Sequence, residues 1–228
     1  MSVQVKEVCR RLKLDNSFAV DRIGKSGGLA LIWSSDINVR ITSYSRHHID
    51  MQVQKAYGKL WKCTGIYRHP ETKQKKHTWT LLKRLAGLSS LPWLCFGDFK
   101  EILNLNKKTG DVQRDARVIA DFRDAVKECK LIDLGSRGHP FTWSNRQFGP
   151  YLIEEKLDRF LHNQEWRAKF YDDLATNLVH LEFDHCSVMV EAKEKEQSLE
   201  YDKKYFCRIH YEDMWSLYKA CKDIVKNE

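Results

Sequence analysis

Apolar residues recur at every third or fourth position in several segments, which is the spacing of helices that bury one face. This spacing predicts helices over residues 4–13 and 115–131, another after residue 76, a short one over residues 164–170 and one in the tail. The apolar stripes of the four longer helices are formed by Val5, Val8, Cys9 and Leu12, by Trp79, Leu82, Leu85 and Ala86, by Val118, Phe122, Ala125, Val126 and Cys129, and by Met214, Leu217, Tyr218, Cys221, Ile224 and Val225.

Between these helices the sequence changes to alternating, β-branched or aromatic runs, which are typical of strands. Strands are predicted over residues 18–23, 28–35, 39–45, 49–56, 60–67, 92–99, 141–145, 156–161, 178–183 and 186–190. Turns are expected at residues 24–28 and 56–59, and a basic loop at residues 68–76. Many strands and few helices, with antiparallel and crossover connections, predict an α+β fold or α/β sandwich, in which two sheets pack face to face with helices outside.

A change in composition after Val190 divides the chain into two parts. Residues 191–204 are rich in charge and predict a linker, which the tail helix follows. We therefore expect one domain over residues 1–192 and a linker with an amphipathic helix over residues 193–228. The tail helix is expected to pack either on the domain or on another element.

The composition narrows the class of protein. Hydrophobic residues make up 42% of the 228 positions, enough for a substantial core, and the charged 31% is mixed in sign, which argues against a disordered polymer. Seven Cys without a C-x-x-C pair argue against a zinc finger or a disulfide framework and favour the nucleus or cytoplasm. The lack of a signal peptide and of an apolar span of ~18–20 residues predicts a soluble protein without a membrane partner. A net charge of +8 favours a polyanionic partner such as nucleic acid.

Acidic residues at predicted strand ends are the first candidates for chemistry. Asp98 follows an apolar strand, which would hold its carboxylate at the rim of a sheet, and the alternative is an ordinary turn residue. Asp184 and His185 lie between two apolar segments. A carboxylate beside an imidazole suits metal binding or acid–base catalysis, and the alternative is a hairpin Asp beside a chance His.

Asp158 lies inside an apolar strand, where a charged side chain needs a partner. That partner is either a His, whose ring it would orient, or one of the neighbouring cations, Lys156 or Arg159. Three Asp and one His meet the needs of Mg²⁺-assisted phosphate hydrolysis, because hard oxygen ligands hold the ion and the ion lowers the pKa of water. One Asp can accept the proton of that water, and a protonated His can stabilise the transition state.

Six segments of the chain carry a resemblance to a known family. They are residues 24–33, 64–71, 92–103, 141–145, 155–161 and 183–190, in this order. Together they resemble the endonuclease/exonuclease/phosphatase superfamily with the DNase I-like fold, and more narrowly the endonuclease domain of plant LINE-type (non-LTR) retrotransposon polyproteins. Residues 203–215 resemble the connector that leads toward the reverse transcriptase in those polyproteins. The resemblance implies a four-layer fold with two mixed sheets, a Mg²⁺ or Mn²⁺ cofactor and DNA as the partner of a monomer.

The resemblance also implies roles for individual residues. The Asp of the Gly-Asp-Phe motif orients or deprotonates water, the Asp-His pair holds metal and contacts the scissile phosphate, and a further Asp buttresses the His. In this sequence the implied catalytic residues are Asp98, His185, Asp158 and Tyr67, the metal ligands are Asp184 and Asp98, and the substrate-binding residues are Thr142, Asn145, Lys100 and Arg68. A basic stripe available to DNA, or simply a solvated surface, consists of Arg68, Lys73, Lys75, Lys76, Lys83 and Arg84.

The sequence departs from the family at three places. Lys100 replaces an Asn that contacts the phosphate, and Phe183 replaces a Ser before the Asp-His pair. The family begins with two strands, the second ending in a metal-binding Glu, whereas this sequence opens at the helix that would follow and Glu7 does not match that motif. The resemblance therefore implies an N-terminally truncated domain that lacks the first one or two strands.

Three functions are consistent with these observations. The first is an active Mg²⁺-dependent endonuclease that cuts one strand of DNA. The second, favoured by the three departures, is a weakened or catalytically inactive remnant that still binds nucleic acid. The third is a phosphatase that shares the fold, which the retrotransposon-like motifs make least favoured.

Overall fold

The computed structural model of the protein describes residues 2–21, 28–56, 58–67, 75–111, 114–178 and 183–194. Its helices are α1 (Ser2–Arg11), α2 (Lys75–Gly87), α3 (Ala116–Glu128) and α4 (Gln164–Lys169). Its strands are β1 (Asn16–Val20), β2 (Leu29–Trp33), β3 (Ile37–Ser45), β4 (His48–Lys55), β5 (Trp61–Tyr67), β6 (Trp93–Asp98), β7 (Lys108–Thr109), β8 (Ile132–Asp133), β9 (Arg137–Gly138), β10 (Trp143–Ser144), β11 (Glu154–Glu155), β12 (Asp158–His162), β13 (Leu174–Asn177) and β14 (Val188–Glu191).

A six-stranded mixed sheet forms the centre of the fold, in the order β3-β4-β5-β6-β12-β8. The β5–β6 pair is parallel and the other pairs are antiparallel. A parallel pair requires a crossover connection, and α2 lies within that crossover. The antiparallel run predicted over β3, β4 and β5 is confirmed by the pairing of these strands. Alternating or apolar residues allow each strand to bury one face.

Helices α2 and α3 cover one face of this sheet. Trp79 of α2 stacks on Phe122 of α3 with ring centroids 4.5 Å apart, above the sheet residues Cys95 and Leu161. The predicted stripe of α2 is confirmed. In α3 the buried residue of the first turn is Ile119 rather than the predicted Val118, which is half-buried.

The other face of the central sheet carries a second strand layer in two pieces. The hairpin β1–β2 forms one piece, and the three strands β14-β13-β9 form the other. Their apolar residues enter one cluster with the inner face of the central sheet and with Trp166 and Phe170 at α4. The predicted α+β sandwich is therefore confirmed. Within the described residues, its second layer consists of the two separate pieces just named.

Several predicted strands differ from the structure in extent. Most of the strand expected over residues 178–183 lies outside the described residues, and β13 ends before it, at Asn177. Asn177 Nδ2 donates to the carbonyl oxygen of His139, a polar contact that apolar patterning does not predict. The strand over residues 141–145 is reduced to β10, and that over residues 186–190 begins later, as β14.

The predicted linker and tail helix lie almost entirely outside the described residues. Residues 195–228, which contain most of the expected linker and its helix, are outside the described residues, so the two-part division of the chain stays a prediction. The turn predicted at 24–28 and the basic loop at 68–76 also fall largely outside them. In the part that is described, no helix combines the length and apolar character needed to cross a membrane.

Candidate active site

Three strand ends of the central sheet meet at one edge. Strand β6 ends at Asp98, which pairs in register with Asp158 at the start of β12 and with Tyr67 at the end of β5. The antiparallel β6–β12 pair and the parallel β5–β6 pair therefore bring three predicted site residues together. The sequence places these residues about thirty or sixty positions apart, and only strand pairing makes them neighbours.

Gly97 is the reason that β6 can lie so close to β5 just before Asp98. Its φ is +132°, and a Cβ placed on it would lie 2.0 Å from the carbonyl oxygen of Ile66. No L side chain fits this space without moving the β5 backbone. The Gly-Asp pair thus combines a close strand approach with a carboxylate at the strand end.

His185 reaches the same edge from the segment before β14. An isolated bridge pairs His185 with Trp143, and the Cys186 amide donates to the Thr142 carbonyl at 2.8 Å. The Nδ1 atom of His185 lies 2.8 Å from Oδ2 of Asp158. Burial by itself lowers the pKa of His185, but the hydrogen bond and the charge of Asp158 outweigh it, so the pKa is raised.

The partner of Asp158 is thereby identified. Of the two neighbouring cations, Arg159 donates to Asp133 Oδ2 at 2.8 Å, while Asp158 receives His185. The geometry supports the predicted pairing of Asp158 with a His rather than the structural salt bridge with Arg159. An Asp on this imidazole fixes its orientation and leaves Nε2 directed toward the edge of the sheet.

Asp98 lies between the nitrogens of two basic side chains. Its Oδ2 atom is 4.0 Å from His185 Nε2 and 3.8 Å from Lys100 Nζ, and its Oδ1 accepts the Lys100 amide at 2.9 Å. Burial raises the pKa of Asp98, and the nearby Asp158 charge adds to the rise, while His185 and Lys100 oppose it. A carboxylate with a raised pKa is a stronger base, which suits the removal of a proton from water.

Lys100 stands where the resemblance leads us to expect Asn, and its side chain folds back over Tyr67. Its Nζ lies 3.1 Å from Tyr67 Oη and 4.5 Å from the centre of that ring. Its backbone φ is +50°, in the left-handed region that Asn tolerates better than Lys. The side chain is 27% exposed, so the ammonium is reachable from solvent.

Asp184 is exposed and points to a different neighbour. Its Oδ2 accepts a hydrogen bond from Trp143 Nε1 at 3.2 Å, and its carbonyl oxygen accepts the Ser144 amide at 2.9 Å. Phe183, which precedes it, is 72% exposed. Residue patterning did not single out Trp143 as a contact of Asp184, although Trp143 lies inside the segment 141–145 that carried the resemblance.

The predicted substrate-binding residues have different environments. Thr142 is fully buried, and its hydroxyl accepts the amides of Leu157 at 3.0 Å and Asp158 at 2.9 Å. This burial is at odds with the expected contact with substrate, because the hydroxyl already braces the start of β12. Asn145 donates to the Tyr151 carbonyl and accepts two amides, so it organises its own loop.

The predicted basic stripe is only partly within the described residues. The side chains at positions 68–76, which include Arg68, lie outside them. Lys83 and Arg84 of α2 are exposed, and Lys83 forms an ion pair with Glu128 at 2.7 Å. Glu128 partly offsets the field of Lys83 without removing its charge, and the solvated-surface interpretation of the stripe stays open.

The side chains described at this edge do not form a three-residue ligand group for a divalent metal ion. Across the described ranges there is no group of three or more His, Cys, Asp or Glu side chains placed to hold one. Each candidate carboxylate already faces a donor: Asp98 faces Lys100, Asp158 faces His185 and Asp184 faces Trp143. The expected Mg²⁺ or Mn²⁺ site thus lacks its ligand set in this part of the chain.

Comparison with solved structures identifies the fold of this chain. The endonuclease domain of TRAS1, a telomere-specific non-LTR retrotransposon, has a TM-score of 0.60 at 12% identity, over 86% of this chain and 93% of that one. The 3′ phosphatase NExo from Neisseria, bound to a product DNA hairpin, has a TM-score of 0.56 at 13% identity, over 82% of both chains. The protein therefore has the DNase I-like endonuclease/exonuclease/phosphatase fold.

At identities this low the likeness concerns the fold alone. No protein-family model matches the sequence, and no curated protein matches it either. The chemistry of this chain must therefore be argued from its own side chains.

Proposed function

We propose that this chain is a DNA-binding domain of the phosphodiesterase type, related to retrotransposon endonucleases, whose hydrolytic activity is weak or lost. The carrying observation is the Lys100 ammonium, which lies 3.1 Å from Tyr67 Oη and 3.8 Å from Asp98 Oδ2. A cation fixed there, and the lack of a three-residue metal-binding group among the described residues, support the inactive remnant over an active Mg²⁺-dependent endonuclease. The TRAS1 likeness supports the retrotransposon relationship.

The retained half of the site supports phosphate recognition. His185 is held by Asp158, which raises the pKa of its ring, and in its protonated form its Nε2 can donate to a phosphate oxygen. Tyr67 adds a hydroxyl at the same edge. The overall charge of +8 attracts a polyanion to this surface through long-range electrostatics.

The step that fails is the activation of water. Asp98 is the available base; burial and the charge of Asp158 raise its pKa, and the Lys100 ammonium, 3.8 Å from its Oδ2, opposes that rise. A divalent ion would lower the pKa of attacking water, and the described residues do not gather ligands for one. Without that help, a carboxylate alone removes a proton from water far too slowly for efficient hydrolysis.

A plasmid-nicking assay tests this proposal. Purified protein is incubated with supercoiled plasmid and Mg²⁺ or Mn²⁺, and relaxed circles are quantified. We expect little or no nicking above the level of Asp98→Ala and His185→Ala. Robust nicking that disappears in both variants would sink the inactive-remnant proposal and favour the active endonuclease.

A phosphatase is the second candidate, because NExo is a 3′ phosphatase of the same fold. Release of inorganic phosphate from a 3′-phosphorylated duplex, measured in parallel with nicking, separates the two activities. Phosphate release without nicking, abolished by His185→Ala, would favour the phosphatase.

A further inference from the structure

The ammonium of Lys100 makes a single hydrogen bond to protein among the described residues, the one to Tyr67 Oη at 3.1 Å. An ammonium has three donors. Asp98 Oδ2, at 3.8 Å, is attracted by its charge but lies beyond hydrogen-bond distance. The Lys100 side chain therefore has donor capacity left, and its 27% exposure makes that capacity accessible.

A second nitrogen faces the same carboxylate oxygen. His185 Nε2 lies 4.0 Å from Asp98 Oδ2, again too far for a direct hydrogen bond. His185 is held from its other nitrogen by Asp158, so Nε2 is oriented without being used. The Lys100 ammonium and the His185 ring nitrogen thus lie on either side of one carboxylate oxygen, and the ammonium has protons available for an incoming anion.

An anionic oxygen is the ligand that matches this arrangement. The phosphodiester of a nucleic acid offers two such oxygens, and charge-assisted hydrogen bonds from ammonium and imidazolium are among the stronger ones in proteins. Lys acts as a point charge toward phosphate, which is also how a bound cation acts. The Lys100 side chain supplies this positive charge as part of the protein. The described residues contain no group of three or more side chains placed to hold a metal ion.

We propose that the Lys100 ammonium is the cation of this site and that it holds a nucleic-acid phosphate together with His185, so that DNA binding requires no divalent metal. This inference rests on the proposed function, because it names how the proposed DNA-binding site recognises its ligand. It reverses the metal dependence that the resemblance implies.

Fluorescence anisotropy with a short fluorescein-labelled DNA duplex tests the inference. Wild-type protein is titrated in EDTA and in Mg²⁺, at several concentrations of monovalent salt. We expect the same Kd in both buffers, and Lys100→Asn is expected to weaken binding about tenfold in EDTA. Loss of one phosphate contact is also expected to reduce the slope of log Kd against log salt by about one.

Lys130→Asn is the matched control. Lys130 also has a positive φ, +52°, and is exposed, but it precedes β8, which pairs with the end of β12 opposite to Asp158. The two variants lose the same charge and gain the same residue in the same backbone conformation. Lys130→Asn is expected to leave Kd and the salt slope unchanged, and circular dichroism of both variants checks that they are folded.

Three results would overturn the inference, and they differ in what they say of the proposed function. Binding that requires Mg²⁺ leaves the proposed DNA-binding function intact but contradicts the proposal that the Lys100 ammonium is the cation of the site. Equal affinity and salt slope for wild type and Lys100→Asn in EDTA mean that Lys100 only balances the charge of Asp98. The absence of DNA binding in both buffers contradicts the proposed function as well.

Discussion

Lys100 combines an unfavourable backbone conformation with favourable side-chain contacts. Its φ of +50° crowds the Cβ of any L residue, and Asn is several-fold enriched there because its short polar side chain suits the left-handed region. We therefore expect Lys100→Asn to raise the free energy of unfolding by about 0.5–1 kcal/mol. Urea denaturation measures this, with Lys130→Asn, at a φ of +52°, as the comparison.

A decrease in stability for Lys100→Asn alone would contradict this expectation. It would mean that the contacts of the ammonium with Tyr67 and Asp98 stabilise the fold by more than the backbone strain costs. A gain in both variants would assign the effect to the backbone.

The Asp158–His185 pair gives the fold a dependence on pH. Because the pKa of His185 is raised above the ordinary value of ~6.5, its stabilisation is fully present below that value and is lost as pH rises through the raised pKa. Replacement Asp158→Asn removes the main cause of the rise. The variant is therefore expected to lose about 1 kcal/mol more stability at about pH 6 than at about pH 8.5, measured by urea denaturation.

NMR titration of the His185 ring provides the independent readout. Asp158→Asn is expected to lower the pKa of His185 clearly, and Asp184→Asn to lower it less, because Asp184 contributes only through its charge. An unchanged titration curve in Asp158→Asn would mean that the hydrogen bond to Asp158 is not what raises the pKa of His185.

At the scale of elements, the approach of β6 to β5 depends on Gly97. A Cβ at this position would lie 2.0 Å from the Ile66 carbonyl oxygen, at a φ of +132°. Gly97→Ala is therefore expected to destabilise the protein by about 3 kcal/mol or more, measured as a fall in the free energy of unfolding. Gly87→Ala, at the end of α2 where nothing lies within 4 Å of the added Cβ, is the control and is expected to be neutral or slightly stabilising.

A neutral Gly97→Ala would show that β5 moves freely to accommodate the methyl group. It would then be wrong to treat the β5–β6 contact as the feature that positions Asp98.

Element prediction succeeded where burial alone decides the structure. The apolar stripes of α2 and α3 and the runs of β3 to β6 were predicted because each buries a continuous apolar face. Prediction missed β13, whose buried positions include Asn177, and in α3 it named Val118 where Ile119 is buried. In β13 a side-chain hydrogen bond to the backbone satisfies a polar residue in the interior, and hydrophobic patterning carries no record of such bonds.

At the scale of the whole molecule, activity requires more than the single residue at position 100. The described residues assemble no set of three metal ligands, whichever side chain stands there. We therefore expect Lys100→Asn alone not to recover strong nicking of supercoiled plasmid with Mg²⁺ or Mn²⁺. Full activity from this one change would mean that another carboxylate of the chain completes the site.

The site itself is an assembly of distant segments. Tyr67, Asp98 and Asp158 come from the central sheet, whereas Asp184 and His185 come from the segment before β14 in the second layer. The sequence supplied the candidates, because charged residues at the ends of apolar strands are conspicuous. It left open whether Asp158 pairs with a His or with its neighbour Arg159, since both arrangements satisfy a buried carboxylate.

The sequence by itself determined the type of most elements, the α+β class and the set of chemically useful residues, because these follow from local periodicity and residue type. Only the tertiary structure decided that Asp158 holds His185, that Thr142 is buried as a brace, and that Lys100 lies between Tyr67 and Asp98. These are contacts across paired strands and between layers. They depend on strand register and on which donor lies close to each acceptor in the folded protein. The identity of a single residue specifies neither.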